Sequence, residues 1–264
     1  MINSIKDFKN KKKKETILVL SFQILILFLL LSIWEVFARL GIINEFLLSK
    51  PSSILSLLFS YLKSGELISH LFISTLECTI ALIISTFFGV LISIIIYLSK
   101  TLIKILDPYL TVFNAIPKSA SGIIFIIWFG TSYKGIIAVS VSFSIIITII
   151  SALNHFKSID KDLIKMATVL GATKIQILKK IVLPASLENL LSLLKVNIGL
   201  SWVGVVVGEF LVSKKGIGYL ILYGGQVFKM DLVMMGILIL LLIALFMYQI
   251  LNIIQRIVKK KIYH

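Results

Sequence analysis

An all-α integral membrane protein of about six transmembrane helices is the fold class that this sequence predicts. Hydrophobic residues fill 58% of the 264 positions and charged residues only 15%, too apolar a balance for a soluble domain. Apolar runs of roughly 20 residues or more recur along the chain, long enough to cross a bilayer core as helix. Lysines gather at the ends of those runs, where topology signals lie. The net charge of +15 therefore belongs with anionic lipid and the bilayer, not with nucleic acid, because no basic stripe interleaves with aromatic residues.

The first run, Ile17 to Ala38 behind Lys11–Lys14, is too long for a signal-peptide core and lacks a small-x-small cleavage site. It reads as a retained span, 16–40. The segment 41–67 follows as a loop in which Pro51 and Gly65 bracket an apolar stretch, Ile54–Leu62, that fits a short surface helix. Further spans are expected near 70–98, 134–153, 188–212 and 232–256. The run 102–129 is interrupted at Ile116-Pro117-Lys118-Ser119-Ala120-Ser121-Gly122 and reads as one broken helix. Irregular backbone at membrane depth survives only inside protein or beside a wet cavity, so the break marks either an internal path or a packed kink.

Six spans put both termini on one side of the membrane. That side holds the lysines of the 1–15 tail, Lys100 and Lys104, six lysines of the loop 154–187, and Arg256 with Lys259–Lys261 of the 257–264 tail. The other side holds Lys50, Lys63, Lys134, Lys214, Lys215 and Lys229. The bias makes the tails and the 154–187 loop cytoplasmic.

That loop is the most distinctive part of the chain. Leu163, Ala167 and Leu170 share one helical face, while Lys161, Lys165 and Thr168 lie elsewhere on the wheel. Asp160 and Asp162 stand at its start, where the helix dipole favours carboxylates, and Gly171 follows its last turn as a C-cap. A second short helix, from Thr173 to Lys180, is expected to lead to Pro184 in the first turn of the next span. The product is a two-helix knob on the cytoplasmic face.

Polar groups inside apolar runs are the candidates for a translocation path: Glu77, Lys118, Asn197 and Glu209, with Lys195 beside them. Each has a plainer reading as an internal pair or a snorkelling side chain. Gly216-Ile217-Gly218 reads as a tight turn on the outer side. Cys78 stands alone, and His70, His155 and His264 have no partner at ligand spacing, so neither a disulfide nor a metal site is expected.

The knob resembles the coupling loop of bacterial ABC importer permeases with the type I membrane fold. That family's pattern is Glu-Ala-Ala, three residues, Gly, nine residues, Ile-x-Leu-Pro. Lys165-Met166-Ala167, Gly171, Ile181, Leu183 and Pro184 match its spacing without a gap, with Ala172 after the glycine. Lys165 and Met166 stand where the family has Glu and Ala. Ile116-Pro117, Trp128-Phe129-Gly130, Ser201-Trp202-Val203-Gly204, Gly208-Glu209-Phe210 and Gly216-Ile217-Gly218-Tyr219-Leu220 are similar to the nitrate/sulfonate/taurine branch. The resemblance implies a permease domain over 68–256 in the cell membrane of a prokaryote. It also implies a homodimer, cytoplasmic ABC ATPase subunits and an extracytoplasmic solute-binding protein, and a small anion such as nitrate, a sulfonate or taurine as solute. Heterocyclic vitamin precursors are an open alternative.

The chain has no Gly-x-x-x-x-Gly-Lys-Ser/Thr phosphate loop, so it is expected to need no cofactor, ATP being bound by the partner subunit. No catalytic constellation appears within a span, which argues against an intramembrane enzyme. A secondary transporter or channel working without an ATPase is the rival reading; it has no need of the knob.

Overall fold

The computed structural model describes residues 5–262, and every regular element in it is helical. Helix α1 (Ile5–Arg39) carries the first span and leads through α2 (Glu45–Leu48) to α3 (Pro51–Lys63). Then come α4 (Glu66–Tyr97), α5 (Lys100–Ala115), α6 (Lys118–Phe129) and α7 (Tyr133–Lys157). The knob contributes α8 (Lys161–Val169) and α9 (Lys174–Ile177). A π-helical turn, Leu178–Val182, joins α9 to α10 (Leu183–Val212), and α11 (Ile217–Gln226) and α12 (Met230–Ile262) complete the chain. The basic tails expected at 1–15 and 257–264 are helix where described, as extensions of α1 and α12; residues 1–4 and 263–264 lie outside the described residues.

Among the described residues five helices are long and apolar enough to cross a membrane, and the pair α5–α6, bent by 97°, supplies a sixth crossing if its arms are taken together. The bend follows from Pro117. Its ring forces the preceding Ile116 out of helical geometry, to φ −63° and ψ 132°, and the helix ends there. One arm packs through Ile103, Leu106 and Leu110 on α4 and α7, and Asp107 meets Lys157 at 3.6 Å. The other arm lays Ile126 against Val139 and Phe143 of α7.

The centre of the molecule is the trio α4, α7 and α10, drawn together by small residues. A Cβ at Gly89 would stand 2.6 Å from Thr148 Cγ2, one at Gly208 3.0 Å from Ile136 Cγ2, and one at Gly204 would overlap the Cα of Ser140. Lipid gives helices no hydrophobic reason to associate, so close approach and dispersion hold them. Several hydroxyls in the trio bond helix backbone: Thr148 donates to Ser144 O at 2.7 Å and Ser93 to Val90 O at 2.7 Å within their own helices, while Ser140 of α7 crosses to Ser201 O of α10 at 2.9 Å.

Helix α1 stands apart, its large apolar side chains from Ile17 to Ile33 exposed. It is held at its far end, where Ala38 is buried and Trp34 packs against the cluster around Ile54. Glu35 accepts the Ser52 N–H at 3.0 Å and the Ser52 hydroxyl at 2.9 Å, meeting a free donor in the first turn of α3, and pairs with Arg39 at 2.7 Å. Helix α3 in turn packs with α11 and α12 around Ile54, Leu67, Ile217, Leu232 and Met235.

Two expectations are corrected. The span expected at 188–212 begins at Lys174, because α9, the π turn and α10 form one continuous 39-residue helix. The turn expected at Gly216–Gly218 is the start of a ten-residue helix, α11, preceded by Gly216 at φ +111°.

Replacing Gly89 with Val should overpack the α4–α7 contact and lower stability by about 1–3 kcal/mol. Gly199→Ala is the control, since a Cβ there meets nothing within 4 Å. Thermal unfolding in detergent should show a lower midpoint for the first substitution and no loss for the second; equal midpoints would refute the close-packing account.

Candidate functional site

The knob is built by three local devices. Asp160 caps α8 by accepting the Asp162 N–H at 2.8 Å. At its other end Gly171 takes φ +82°, its N–H bonds Thr168 O at 3.0 Å and the Ala172 N–H bonds Ala167 O at 3.0 Å. Those paired bonds form a Schellman motif, which needs a residue at ease with positive φ. Thr173 then opens α9 with a capping box, accepting from Gln176 N at 3.3 Å while its own N–H bonds Gln176 Oε1 at 2.8 Å.

The expected second helix of the knob is therefore not separate. It is the first turns of the membrane helix, with Pro184 inside a continuous helix instead of at its start. Proline there removes a donor and pushes on the preceding turn. The π turn just before it widens the helix, with the Leu183 N–H bonding back five residues to Leu178 O.

One face of the knob turns inward, partly buried along α8 and buried at Ile177, Leu178 and Val182. Ile164, Ala167, Ala172, Ile181 and Leu183 pack with Ile177, Leu178 and Val182 against Ala152, Phe156 and the α4 residues Val90, Ile94 and Tyr97. The expected stripe Leu163–Ala167–Leu170 thus splits. Ala167 faces in beside Ile164, while Leu163 is 46% and Leu170 79% exposed. Met166 and Val169 are 57% and 87% exposed on the outer face. Lys165 lies there too, 3.1 Å from Asp162. Of the motif residues, Ala167, Ala172, Ile181 and Leu183 come together in one cluster; Lys165, Met166 and Gly171 stay on the surface.

The four path candidates do not form one site. Asn197, fully buried, donates to Thr148 Oγ1 at 2.9 Å and Thr86 Oγ1 at 3.1 Å, knitting α10 to α7 and α4. Glu209 is fully buried towards the end remote from the knob and closes a latch. It accepts from the Ser74 hydroxyl at 2.5 Å, from Gly218 N at 2.6 Å and from Tyr219 N at 3.3 Å. Ser74 accepts the Ile217 N–H at 2.8 Å. The carboxyl group thus sits at the amino end of α11, where free N–H groups and the helix dipole both favour it. Gly216 has no Cβ because the Glu209 carboxylate fills that space. His70 Nδ1 accepts the Gly216 N–H at 2.9 Å, and its ring stacks on Tyr219 with centroids 6.0 Å apart. Glu77, one turn along α4 from Ser74, lies with its carboxyl group against that of Glu209. Lys118 is alone, half-exposed at the start of α6 just past the Pro117 break.

Sequence reading missed Ser74, Thr86 and Thr148, and took His70 for a side chain without a partner where it bonds the Gly216 N–H. Single hydroxyls in an apolar run carry no partner information; only the three-dimensional pairing with Glu209 and Asn197 picks them out.

The family model "Binding-protein-dependent transport system inner membrane component" matches residues 85–263. A protein of Bacillus subtilis (strain 168), provisionally named as an aliphatic sulfonates transport permease, is 32% identical over 80% of this chain and 76% of its own length. The taurine transport system permease protein of Escherichia coli (strain K12) is 29% identical over 81% of this chain and 80% of its own. The formylaminopyrimidine transport permease protein of Halalkalibacterium halodurans is 29% identical over 72% and 76%. Among solved structures, a chain of the inward-facing MetNI methionine ABC transporter superposes with TM-score 0.65 at 13% identity, over 76% of this chain and 97% of that one. A bacterial ABC transporter involved in alginate import gives 0.65 at 16% identity, over 94% and 98%.

Glu209→Ala should leave the Ser74 hydroxyl and two backbone N–H groups without an acceptor, costing on the order of 3 kcal/mol. Ser74→Ala alone should cost less, and little more in the Glu209→Ala background. A double-mutant cycle on detergent unfolding measures this; strictly additive losses would dissolve the latch.

Proposed function

Since the chain belongs to the family of binding-protein-dependent transport system inner membrane components, we propose that two copies pair as a homodimer around a shared solute path, each seated by its knob on a cytoplasmic ATPase subunit. Family membership and the type I ABC importer fold make the chain the membrane-spanning permease subunit of an ATP-driven importer in a prokaryotic membrane. A cytoplasmic ATPase and an extracytoplasmic solute-binding protein are its partners in that system, and the reading as a secondary transporter or channel falls away.

The observation that carries the coupling role is the knob, anchored through the buried Ile177, Leu178 and Val182 beneath its second half and open on its other face. Movement of a seated ATPase would pass through α8, across the Gly171 turn, into a helix that runs unbroken to Val212. The buried cluster around Phe156 and Val182 would carry the same movement to α4 and α7. The spans then rock as a body between two access states. ATP is bound by the ATPase alone, and this chain catalyses no step itself. Both termini lie in the cytoplasm with the knob, on the lysine bias.

A second copy is needed because one subunit has no room for a path through its centre. Contacts such as Gly204 on Ser140 and Gly89 on Thr148 bring α4, α7 and α10 too close for a solute to pass between them. Among the four path candidates, Lys118 is the one outside that packed interior, beside broken backbone of the kind that lines cavities. Its charge fits an anion. The solute is a small sulfonate or related anion, as the names of the Bacillus and Escherichia relatives support. A pyrimidine solute is the second reading, favoured by the Halalkalibacterium relative.

Gly171→Val has space for its side chain but must hold a β-branched residue at φ +82°, a strain of about 1–2 kcal/mol or more at the turn. In vesicles holding permease, ATPase and binding protein, this change should cut solute uptake more than ATP hydrolysis. Unchanged uptake would break the coupling account. Uptake by the unaltered complex should vanish when the ATPase's phosphate-loop lysine is replaced, and transport without nucleotide would sink the whole reading. Cysteines placed one at a time in the knob and at each end report topology cleanly, because native Cys78 is buried. All should be labelled from the cytoplasm.

A further inference from the structure

The open face of the knob combines exposed apolar side chains with a one-sided charge and is left unmatched by the described residues. Met166, Val169 and Leu170 form an apolar tip, and Ile175 extends it across the Gly171 turn at 56% exposure. Around that tip the charge is one-sided. Between positions 160 and 180 there are five lysines and two aspartates. The aspartates are engaged locally, Asp160 as the cap of α8 and Asp162 with Lys165. Lys161, Lys174, Lys179 and Lys180 are exposed and form no ion pair among the described residues.

We propose that the ATPase groove receiving this knob has an apolar floor rimmed by carboxylates, with at least one Asp or Glu facing Lys165. The inference rests on the reading that the knob seats on the ATPase, and it specifies that partner's chemistry. The apolar tip supplies contact area, and the lysines supply orientation and the rate of encounter. A groove presenting an Arg or Lys at this place would meet Lys165 head on, and like-charge contact at an interface costs several kcal/mol. The Asp162–Lys165 pair is no obstacle. Both side chains are more than 70% exposed, so the pair is worth little and exchanges readily for a partner carboxylate. The permease would thereby reject ATPase subunits built for an acidic knob.

The test uses the intact, detergent-solubilised complex of full-length permease and its own ATPase. Photoreactive benzoylphenylalanine at Val169 reports whether the tip meets the ATPase, whatever its charge. A carbodiimide, which joins a lysine amine directly to a carboxylate with loss of water, reports whether Lys161, Lys165 or Lys174 touches an acid. The expected result is photo-capture together with amide links from those lysines to ATPase Asp or Glu residues. Lys165→Glu should then weaken ATPase retention about tenfold or more, with Lys165→Gln between. Reversal of the linked ATPase carboxylate to Lys should restore retention by Lys165→Glu. Photo-capture without amide links, and retention indifferent to Lys165→Glu, would overturn the acidic rim while leaving the seating intact. No photo-capture would remove the seating reading, and this inference with it.

Discussion

Inside a bilayer there is no water to complete a hydrogen bond, and that constraint governs this structure. It explains why every regular element described is helix and why hydroxyls such as those of Ser93, Ser144 and Thr148 turn back onto backbone carbonyls. It also explains why the polar side chains at depth come in sets. Asn197 reaches two threonines, and Glu209 gathers a hydroxyl and two backbone N–H groups. The same constraint shapes the helix around Pro184. A proline in an unbroken helix strands a carbonyl and crowds a turn, and the π turn relieves the crowding without ending the helix. Had the helix ended there, the knob would hang on a flexible joint.

That continuity separates a lever from an ornament. A loop tethered at both ends absorbs motion, whereas a helix fixed in a packed cluster passes it on. The knob turns once, at Gly171, between two closed hydrogen-bond motifs. Beyond it the chain is helical to Val212, where the Glu209 latch clamps the next element. The two ends of α10 are therefore fixed in different ways. Apolar packing holds the knob end, and hydrogen bonds converging on a carboxylate hold the other. Packing tolerates small sliding. A convergent hydrogen-bond set is directional, so the far end is held in a more closely defined geometry.

Much of this was legible in the residues. Span length is a direct consequence of bilayer thickness, so the long helices fell where apolar runs fell, and Pro117 announced the bend. Gly171 and Asp160 marked the ends of α8 because capping is local chemistry. What the sequence hid was non-local. Thr173 to Lys180 looked like a separate helix because Pro184 is an ordinary signal for a helix start, and nothing in the run advertised a π turn. The inward face of α8 was misplaced because Leu163, Ala167 and Leu170 fit a stripe as well as Ile164 and Ala167 do; only the neighbour decides. Helix α11 was read as a turn because its amino end depends on Glu209, whose partner Ser74 lies 135 residues away.

The exposed half of α8 follows from the same logic. A helix of nine residues has no stability of its own in water, so it must be held by one face, and the other face is then free to be chosen for a partner. Four exposed apolar side chains at the tip would be a liability on a surface facing water unless covered, and five lysines around them keep uncovered knobs from associating with one another. The charge that prevents self-association is the charge that selects the partner. An acidic groove both covers the apolar tip and pairs with those lysines, whereas a neutral groove would only cover the tip.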